Sequence, residues 1–222
     1  MGGNMESFVT IAGTGLRYAG YALLPLLVLP ILLLAVPGPL TAPARLLRGL
    51  IDRISGIAMA FAVSAAFLII IIQLAAVLLR YVFGLSFSWL NDSVIFSFAM
   101  IFMLGAAATL RDDGHVRVDI LRPRFGPKTK AGIEMFGSLA FIVPIGILIL
   151  YSASGLIART WTDLEPFNES DGLPIQYLFK TLVPIFAVLM ISQALSQALK
   201  SAMIIRGLEA DTSDEHQPGG AV

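Results

Sequence analysis

The sequence contains no cysteine, and only two of its 222 residues are histidines. Without cysteine the chain cannot form a disulfide, a thiolate metal site or a cysteine nucleophile. The two histidines, His115 and His216, lie outside every long apolar segment. Because a membrane cytochrome needs axial ligands within its helices, these positions exclude a haem held between membrane spans.

Charged residues are also scarce, at 14% of the chain, and their formal charges sum to zero. Soluble domains carry about 25% charged residues, and nucleic-acid-binding domains usually show a basic excess. We therefore expect neither a separate soluble domain nor a nucleic-acid partner. The sequence also lacks a P-loop, a nucleophile elbow and an HExxH motif. We expect no enzyme activity, no catalytic residue and no cofactor-binding residue in this chain.

Apolar residues make up 57% of the chain and gather in long segments. A helix needs about 20 mainly apolar residues to cross the hydrocarbon core of a membrane. The pattern predicts an all-α, polytopic membrane bundle with spans near residues 18–36, 56–79, 88–110, 132–157 and 174–199. The first segment is short and rich in proline, and a signal peptide is the alternative for it. Only Arg17 supplies a cation ahead of it and no clean cleavage site follows, so we expect a retained extra span.

Basic residues favour one orientation of these spans. They gather in residues 37–55, in residues 111–130 and after residue 199, whereas residues 158–173 hold four carboxylates and one arginine. The positive-inside rule places the basic regions and the C-terminus in the cytoplasm. The expected organisation is an N-terminal segment (1–17), the extra span (18–36), a basic cytoplasmic connection able to form an amphipathic helix (37–55), a four-helix transmembrane domain (56–200) and a cytoplasmic polar tail (201–222).

One carboxylate, Asp92, lies near the start of a predicted span. A carboxylate in that position is costly unless it has a partner. Helical spacing places Trp89, Asp92 and Phe96 on one face. Three interpretations of Asp92 stay open. It contacts a second membrane protein, with Arg80 as a pairing cation; or its side chain only reaches water or caps the start of a helix. The third interpretation is that it couples to an ion.

Other features of the spans favour packing over chemistry. Gly105 and the alanines that follow it allow another helix to approach closely. A polar stripe on the last span consists of Gln193, Ser196, Gln197 and Lys200, which we interpret as hydrogen bonding within the bundle, with a substrate path as the alternative. The halves of the chain show no repeat, whereas complete secondary transporters often have repeated halves. His115 has only a few carboxylates nearby, including Asp119, and arginines lie among them, so we expect no metal site.

A run of motifs within residues 80–121 resembles a known transporter family. The motifs are Arg80 with the YVF that follows it, Trp89 with an acidic residue three positions later, Gly105, and the string GHVRVDIL at residues 114–121. They resemble the small membrane subunit of tripartite ATP-independent periplasmic (TRAP) transporters, the DctQ-like family. The resemblance extends over roughly residues 51–200. The acidic position is often glutamate in that family and is Asp92 here, and the N-terminal segment exceeds the common four-span pattern.

The resemblance implies a role in sodium-driven uptake of an organic acid across the bacterial inner membrane. A large membrane subunit would hold the substrate and the sodium, and a periplasmic binding protein would deliver the substrate. The small subunit would brace the large one, contact membrane lipid and help dock the binding protein. Candidate residues for the partner interface are Arg80, Trp89, Asp92, Phe96, Gly105, His115, Arg117 and Asp119.

Two other functions remain as alternatives to the subunit of a TRAP transporter. One is an anchor or scaffold subunit of another inner-membrane complex, and the other is a self-sufficient small exporter. Co-purification separates the first alternative from the transporter, because a large multi-span partner favours transport and a soluble enzyme favours an anchor.

Overall fold

A computed structural model describes residue 18 and residues 25–112, 125–162, 172–173 and 176–209. The described part of the chain is helical and contains no strand. Its elements are α1 (Leu29–Ala35), α2 (Pro37–Phe83), α3 (Ser88–Arg111), α4 (Pro127–Gly137), a π-helical segment (Ser138–Ile142), α5 (Val143–Thr162) and α6 (Gln176–Ile205).

Four helical stretches are long and apolar enough to cross a membrane. They are Gly38–Phe83, Ser88–Arg111, Pro127–Ala153 and Gln176–Ile205. These stretches confirm the predicted all-α, multi-span fold. The extra N-terminal span is described only in part: its last residues form α1, which has seven residues. Whether residues 18–36 cross the membrane therefore stays a prediction.

Helix α2 is much longer than the predicted second span, which covered only residues 56–79. It has 47 residues and also includes the whole basic connection of residues 37–55. Prolines are tolerated at its start because the first N–H groups of a helix have no partner within it. The helix ends at Gly84, whose φ of 68° lies in the left-handed region that glycine adopts without strain. The connection and the span thus form one continuous helix.

The predicted fourth span contains a local change of helix type. Residues Ser138–Ile142 form a π-helical segment. The N–H of Val143 donates to the carbonyl of Ser138, five residues earlier, whereas in an α-helix it would donate to the carbonyl four residues earlier. The next residue, Pro144, has no N–H to donate, so an α-helical ladder would be interrupted there in any case. The wider π turn joins α4 to α5 next to this interruption.

Helix α6 lies at the centre of the described bundle. Towards its C-terminal end, Leu195, Leu199 and Met203 pack against Leu33 of α1 and Ile51 of α2. A second cluster joins the earlier part of α6 to α2 and α3; its buried members are Ala58, Ala62, Ala99, Leu104, Ala107, Leu182 and Leu189.

Close contact between α5 and α6 depends on a glycine. A Cβ built on Gly146 would lie 2.6 Å from Cγ1 of Ile191 and 3.1 Å from its Cδ1. A Cβ at this position therefore requires a shift of the Ile191 side chain or of the helix that carries it.

The outer face of α2 carries large apolar side chains that the described helices do not cover. Phe67, Ile70 and Ile71 are each about two-thirds exposed, at 67%, 64% and 65%. In a water-soluble protein so large an apolar surface would be unfavourable. In a membrane it is the face that meets lipid or another protein.

Candidate functional site

The first polar site lies between α2 and the C-terminal half of α6 and is centred on Asp52. Its Oδ1 accepts hydrogen bonds from Ser196 Oγ at 2.8 Å and from Gln193 Nε2 at 3.2 Å. Its Oδ2 lies 3.7 Å from Nε of Arg48, one turn earlier on the same helix. A carboxylate is thus shared between a cation and two neutral donors, and it joins α2 to α6 through residues that are 141 and 144 positions apart in sequence.

Further hydrogen bonds extend this site, which we call the Asp52 network. Ser55 Oγ donates to Gln193 Oε1 at 2.7 Å, so both polar ends of the buried Gln193 amide have partners. Arg111, at the end of α3, donates from Nη1 to the backbone carbonyl of Asp52 at 3.0 Å. Gln197 Nε2 makes a longer contact, 3.4 Å, with Glu134 Oε2 on α4. The network therefore contacts α2, α3, α4 and α6.

The segment after α6 is held to the same site. Nη1 of Arg48 lies 2.8 Å and 2.7 Å from the two carboxylate oxygens of Glu209. Arg45 Nη2 makes a weaker contact, 3.4 Å, with the carbonyl of Leu208. These side chains are partly exposed, so the pair contributes modestly to stability. Its effect is to fix the direction in which the chain leaves α6.

The structure confirms hydrogen bonding within the bundle for Gln193, Ser196 and Gln197 of the polar stripe on α6. Sequence analysis did not identify the other half of the contact, which is Asp52 with Ser55 and Glu134. A signal was present, because Arg48, Asp52 and Ser55 follow i, i+4 and i+7 spacing and so share one face of a helix. That signal shows a polar face but not which helix covers it.

The second polar site lies at the opposite end of α3. Residue Asp92 is only 6% exposed, and its Oδ2 accepts a hydrogen bond from the backbone N–H of Leu173 at 3.0 Å. This contact joins the first turns of α3 to the segment that leads into α6. Asp92 thus has a partner within the chain. Its predicted contact with a second protein stays a prediction, and coupling to an ion stays an alternative to it.

Arg80 does not pair with Asp92 in the described part of the chain. Its Nη2 instead donates to Ser86 Oγ at 3.1 Å, across the turn between α2 and α3. A recess of about 210 Å³ lies at the same turn. It is lined by Gln73, Arg80 and Asn91 among its polar residues and by Val77, Leu90 and Val94 among its apolar ones.

Other predicted interface residues lie in different surroundings. Phe96 is half-buried and packs against Phe179 of α6, with ring centroids 6.4 Å apart. Gly105 is buried, and a Cβ there would lie 3.7 Å from that of Ala62. Trp89 is 43% exposed and lies beside Phe87.

The close approach at Gly105 is therefore made by α2 of the same chain, and Phe96 faces α6. Trp89 is the aromatic residue of this set that remains accessible. His115, Arg117 and Asp119 lie outside the described residues. For all of these positions a partner contact stays a prediction.

A second concave surface lies between α2, α3 and α6. It is an apolar groove of about 600 Å³, with Ala62, Gly105 and Ala106 among its lining residues. No group of three or more histidine, aspartate or glutamate side chains suited to a metal ion occurs in the described part of the chain. The chemistry available at the described sites is hydrogen bonding and charge pairing between helices.

Comparison with known protein families gives one match. The model of a family described as "Tripartite ATP-independent periplasmic transporters, DctQ component" matches residues 68–203, more than half of the chain. The matched region includes Arg80, Asp92 and the polar stripe of α6 but begins after Asp52. No curated protein and no solved structure matches the chain.

Proposed function

The chain belongs to the DctQ component family of TRAP transporters, and from this premise we propose that it braces the large membrane subunit and helps dock the periplasmic binding protein. A small permease subunit is what this family supplies to a transporter with three components. We further propose that the complex takes up an organic acid, such as a dicarboxylate or a keto acid, and that sodium bound in the large subunit drives the uptake.

The family match carries this proposal, and the chemistry of the bundle supports a bracing role. A path for an anionic substrate needs donors, helix N-termini or cations that converge at mid-membrane depth. The densest polar group of the described residues, the Asp52 network, has donors matched to acceptors between helices of the same chain. Such an arrangement favours a rigid subunit over a site that binds and releases an anion.

A reconstitution experiment tests the proposal. Proteoliposomes that contain this chain and a binding protein, without the large subunit, should show no sodium-driven uptake of any organic acid. Adding the large subunit should produce uptake, and omitting this chain from the complete set should abolish or strongly reduce it. Uptake by this chain alone would contradict the proposal, as would co-purification with a soluble enzyme in place of a large membrane protein.

Four apolar helices and the family assignment support a multi-pass protein of the bacterial inner membrane. We propose that the C-terminus and residues 122–130 are cytoplasmic, because the basic residues gather there. The absence of cysteine from the chain makes single-cysteine labelling direct. An impermeant thiol reagent applied to intact spheroplasts should label Asn168→Cys and spare Thr129→Cys, and the reverse pattern would overturn the orientation.

A further inference from the structure

The recess at the turn between α2 and α3 is lined by the cation Arg80, by the exposed side-chain amides of Gln73 and Asn91, and by apolar side chains. Arg80 lies near the C-terminal end of α2, and Asn91 lies near the start of α3. Gln73 lies seven residues before Arg80, about two helical turns and 10 Å further into the predicted span. The three side chains are exposed and line the same cavity of about 210 Å³.

The positive charge of Arg80 is not compensated within the described part of the chain. Its described partner is the neutral hydroxyl of Ser86. Asp92, the nearest carboxylate along α3, makes its contact with the backbone of Leu173. A guanidinium has five N–H donors, so most of its donors are available to an anion. Arginine matches phosphate especially well because its planar fork donates two parallel hydrogen bonds.

Gln73 adds a second and independent indication. It lies in a long apolar run, on an exposed face of α2, and its amide makes no hydrogen bond within the described residues. An amide in contact with hydrocarbon is unfavourable unless it finds a partner. The glycerol ester oxygens of a phospholipid lie on the hydrocarbon side of its phosphate, as Gln73 lies on the span side of Arg80, and they are acceptors for such an amide.

We propose that this recess binds one anionic phospholipid. Arg80 holds the phosphate, Gln73 and Asn91 donate to the oxygens of the headgroup and glycerol backbone, and an acyl chain follows Val77, Leu90 and Val94. The recess, as described, offers no carboxylate to the ammonium group of a zwitterionic lipid. A headgroup with net negative charge is therefore favoured over a zwitterionic one. This site is a property of the chain itself and does not depend on the transport role.

Native mass spectrometry of the purified full-length chain tests the site. The chain is incubated with equal amounts of phosphatidylglycerol and phosphatidylcholine of matched acyl chains. Phosphatidylglycerol should be retained preferentially by wild type, and Arg80→Gln should lower its retention about five-fold, the effect of one arginine near a membrane surface. Gln73→Leu should lower retention less. Arg80→Lys should keep part of it, because lysine retains the charge but not the paired donors.

Arg53→Gln is the matched control, because Arg53 is an exposed arginine of the same helix but lies far from the recess. It should bind phosphatidylglycerol like wild type, and circular dichroism should show equal helix content in all variants. Equal retention by wild type and Arg80→Gln would overturn the proposal.

A competition experiment tests whether the recess binds the phosphate of a lipid headgroup or a small free phosphate. Glycerol phosphate or inorganic phosphate should not displace the lipid, because neither has the apolar part that packs on Val77 and Leu90. Displacement by either compound would show a site for small free anions and would overturn the lipid assignment. Arg80→Gln could instead weaken the affinity of the complex for the periplasmic binding protein and leave lipid retention unchanged. That result would also overturn the lipid assignment and assign Arg80 to a protein contact.

Discussion

The two ends of the helix bundle use their carboxylates in different ways. At one end Asp52 is shared by Arg48, Gln193 and Ser196, and the surrounding hydrogen bonds reach four helices. At the other end Asp92 makes one described contact, to a backbone N–H, and the neighbouring Arg80 bonds only a hydroxyl in the described part of the chain.

This difference indicates a division of roles along the bundle. Polar groups that are satisfied inside the chain fix helix positions but have little capacity left to bind anything else. At the other end Asp92 is also buried, but Arg80 is exposed and its charge is incompletely paired in the described part of the chain, so it is available to lipid or to a partner protein. We therefore expect substitutions at the Asp52 end to affect mainly the stability of the chain, and those at the Asp92 end to affect mainly its interactions.

The largest effect is expected for Asp52→Ala. The substitution leaves the buried Gln193 and Ser196 without their common acceptor and removes the partner of Arg48 within α2. Each unsatisfied buried group costs about 1–3 kcal/mol, so we expect the free energy of unfolding to fall by about 3 kcal/mol. Unfolding of the purified chain in mixed micelles, followed by circular dichroism during titration with dodecyl sulfate, measures this change.

Two variants sharpen the result for Asp52. Asp52→Asn retains an acceptor without the charge and should lie between wild type and Asp52→Ala. Arg53→Ala, at the neighbouring exposed position, should change the free energy of unfolding by less than about 0.5 kcal/mol. Equal effects of Asp52→Ala and Arg53→Ala would show that the network does not stabilise the chain, and the contrast between the two ends would disappear.

The next largest effect on stability is expected for Gly146→Ala, which tests the packing of α5 against α6 in the region between the two polar ends. The added methyl group would meet Ile191 at 2.6 Å, and overpacking of this kind costs about 1–3 kcal/mol. Gly132→Ala is the control, because nothing lies within 4 Å of a Cβ built there. It should stabilise the helix by as much as about 1 kcal/mol through higher helix propensity.

A double variant checks the cause of the Gly146 effect. When Gly146→Ala is combined with Ile191→Ala, the combined cost should be smaller than the sum of the single costs, because the clashing side chain is gone. Strictly additive costs would contradict a direct contact between these two positions.

The smallest effect on stability is expected at Asp92. Asp92→Ala removes the acceptor of the Leu173 N–H and should lower the free energy of unfolding by about 1 kcal/mol. Asp92→Asn keeps an acceptor oxygen and should have less effect on the isolated chain. If the charge serves assembly, Asp92→Asn will still reduce recovery of the complex with the large subunit, without changing the sodium dependence of the remaining transport. A changed sodium stoichiometry with intact assembly would instead assign Asp92 to an ion site.

The helical content and four of the five predicted spans follow directly from the sequence. Apolar segments of membrane length predict spanning helices because the backbone must satisfy its own hydrogen bonds in lipid. The continuity of α2 was harder to predict, since residues 37–55 contain several prolines and arginines. The prolines lie mostly in the first turn, where they are compatible with a helix, and arginine favours helices.

The partners of the polar residues could not be predicted in the same way. Periodicity shows that Gln193, Ser196 and Gln197 share a face, but the position of Asp52 on a distant helix depends on how the helices pack. The contact between Asp92 and Leu173 spans 81 residues of sequence, and no local pattern indicates it. Likewise, Gly105 correctly indicated close helix packing, but its neighbour is α2 of the same chain.

The unbroken course of α2 has a geometric consequence for both ends of the protein. Its 47 residues span about 70 Å, whereas the hydrocarbon core of a bilayer is about 30 Å thick. Each residue of a helix adds a rotation of about 100° around the helix axis. The continuous helix therefore fixes the angle around its axis between the face that carries Asp52 and the face that carries Arg80. Inserting a single residue between them would turn one of these faces away from its present neighbours. The continuous helix thus fixes the orientation of these two faces relative to each other, which a flexible connection could not do.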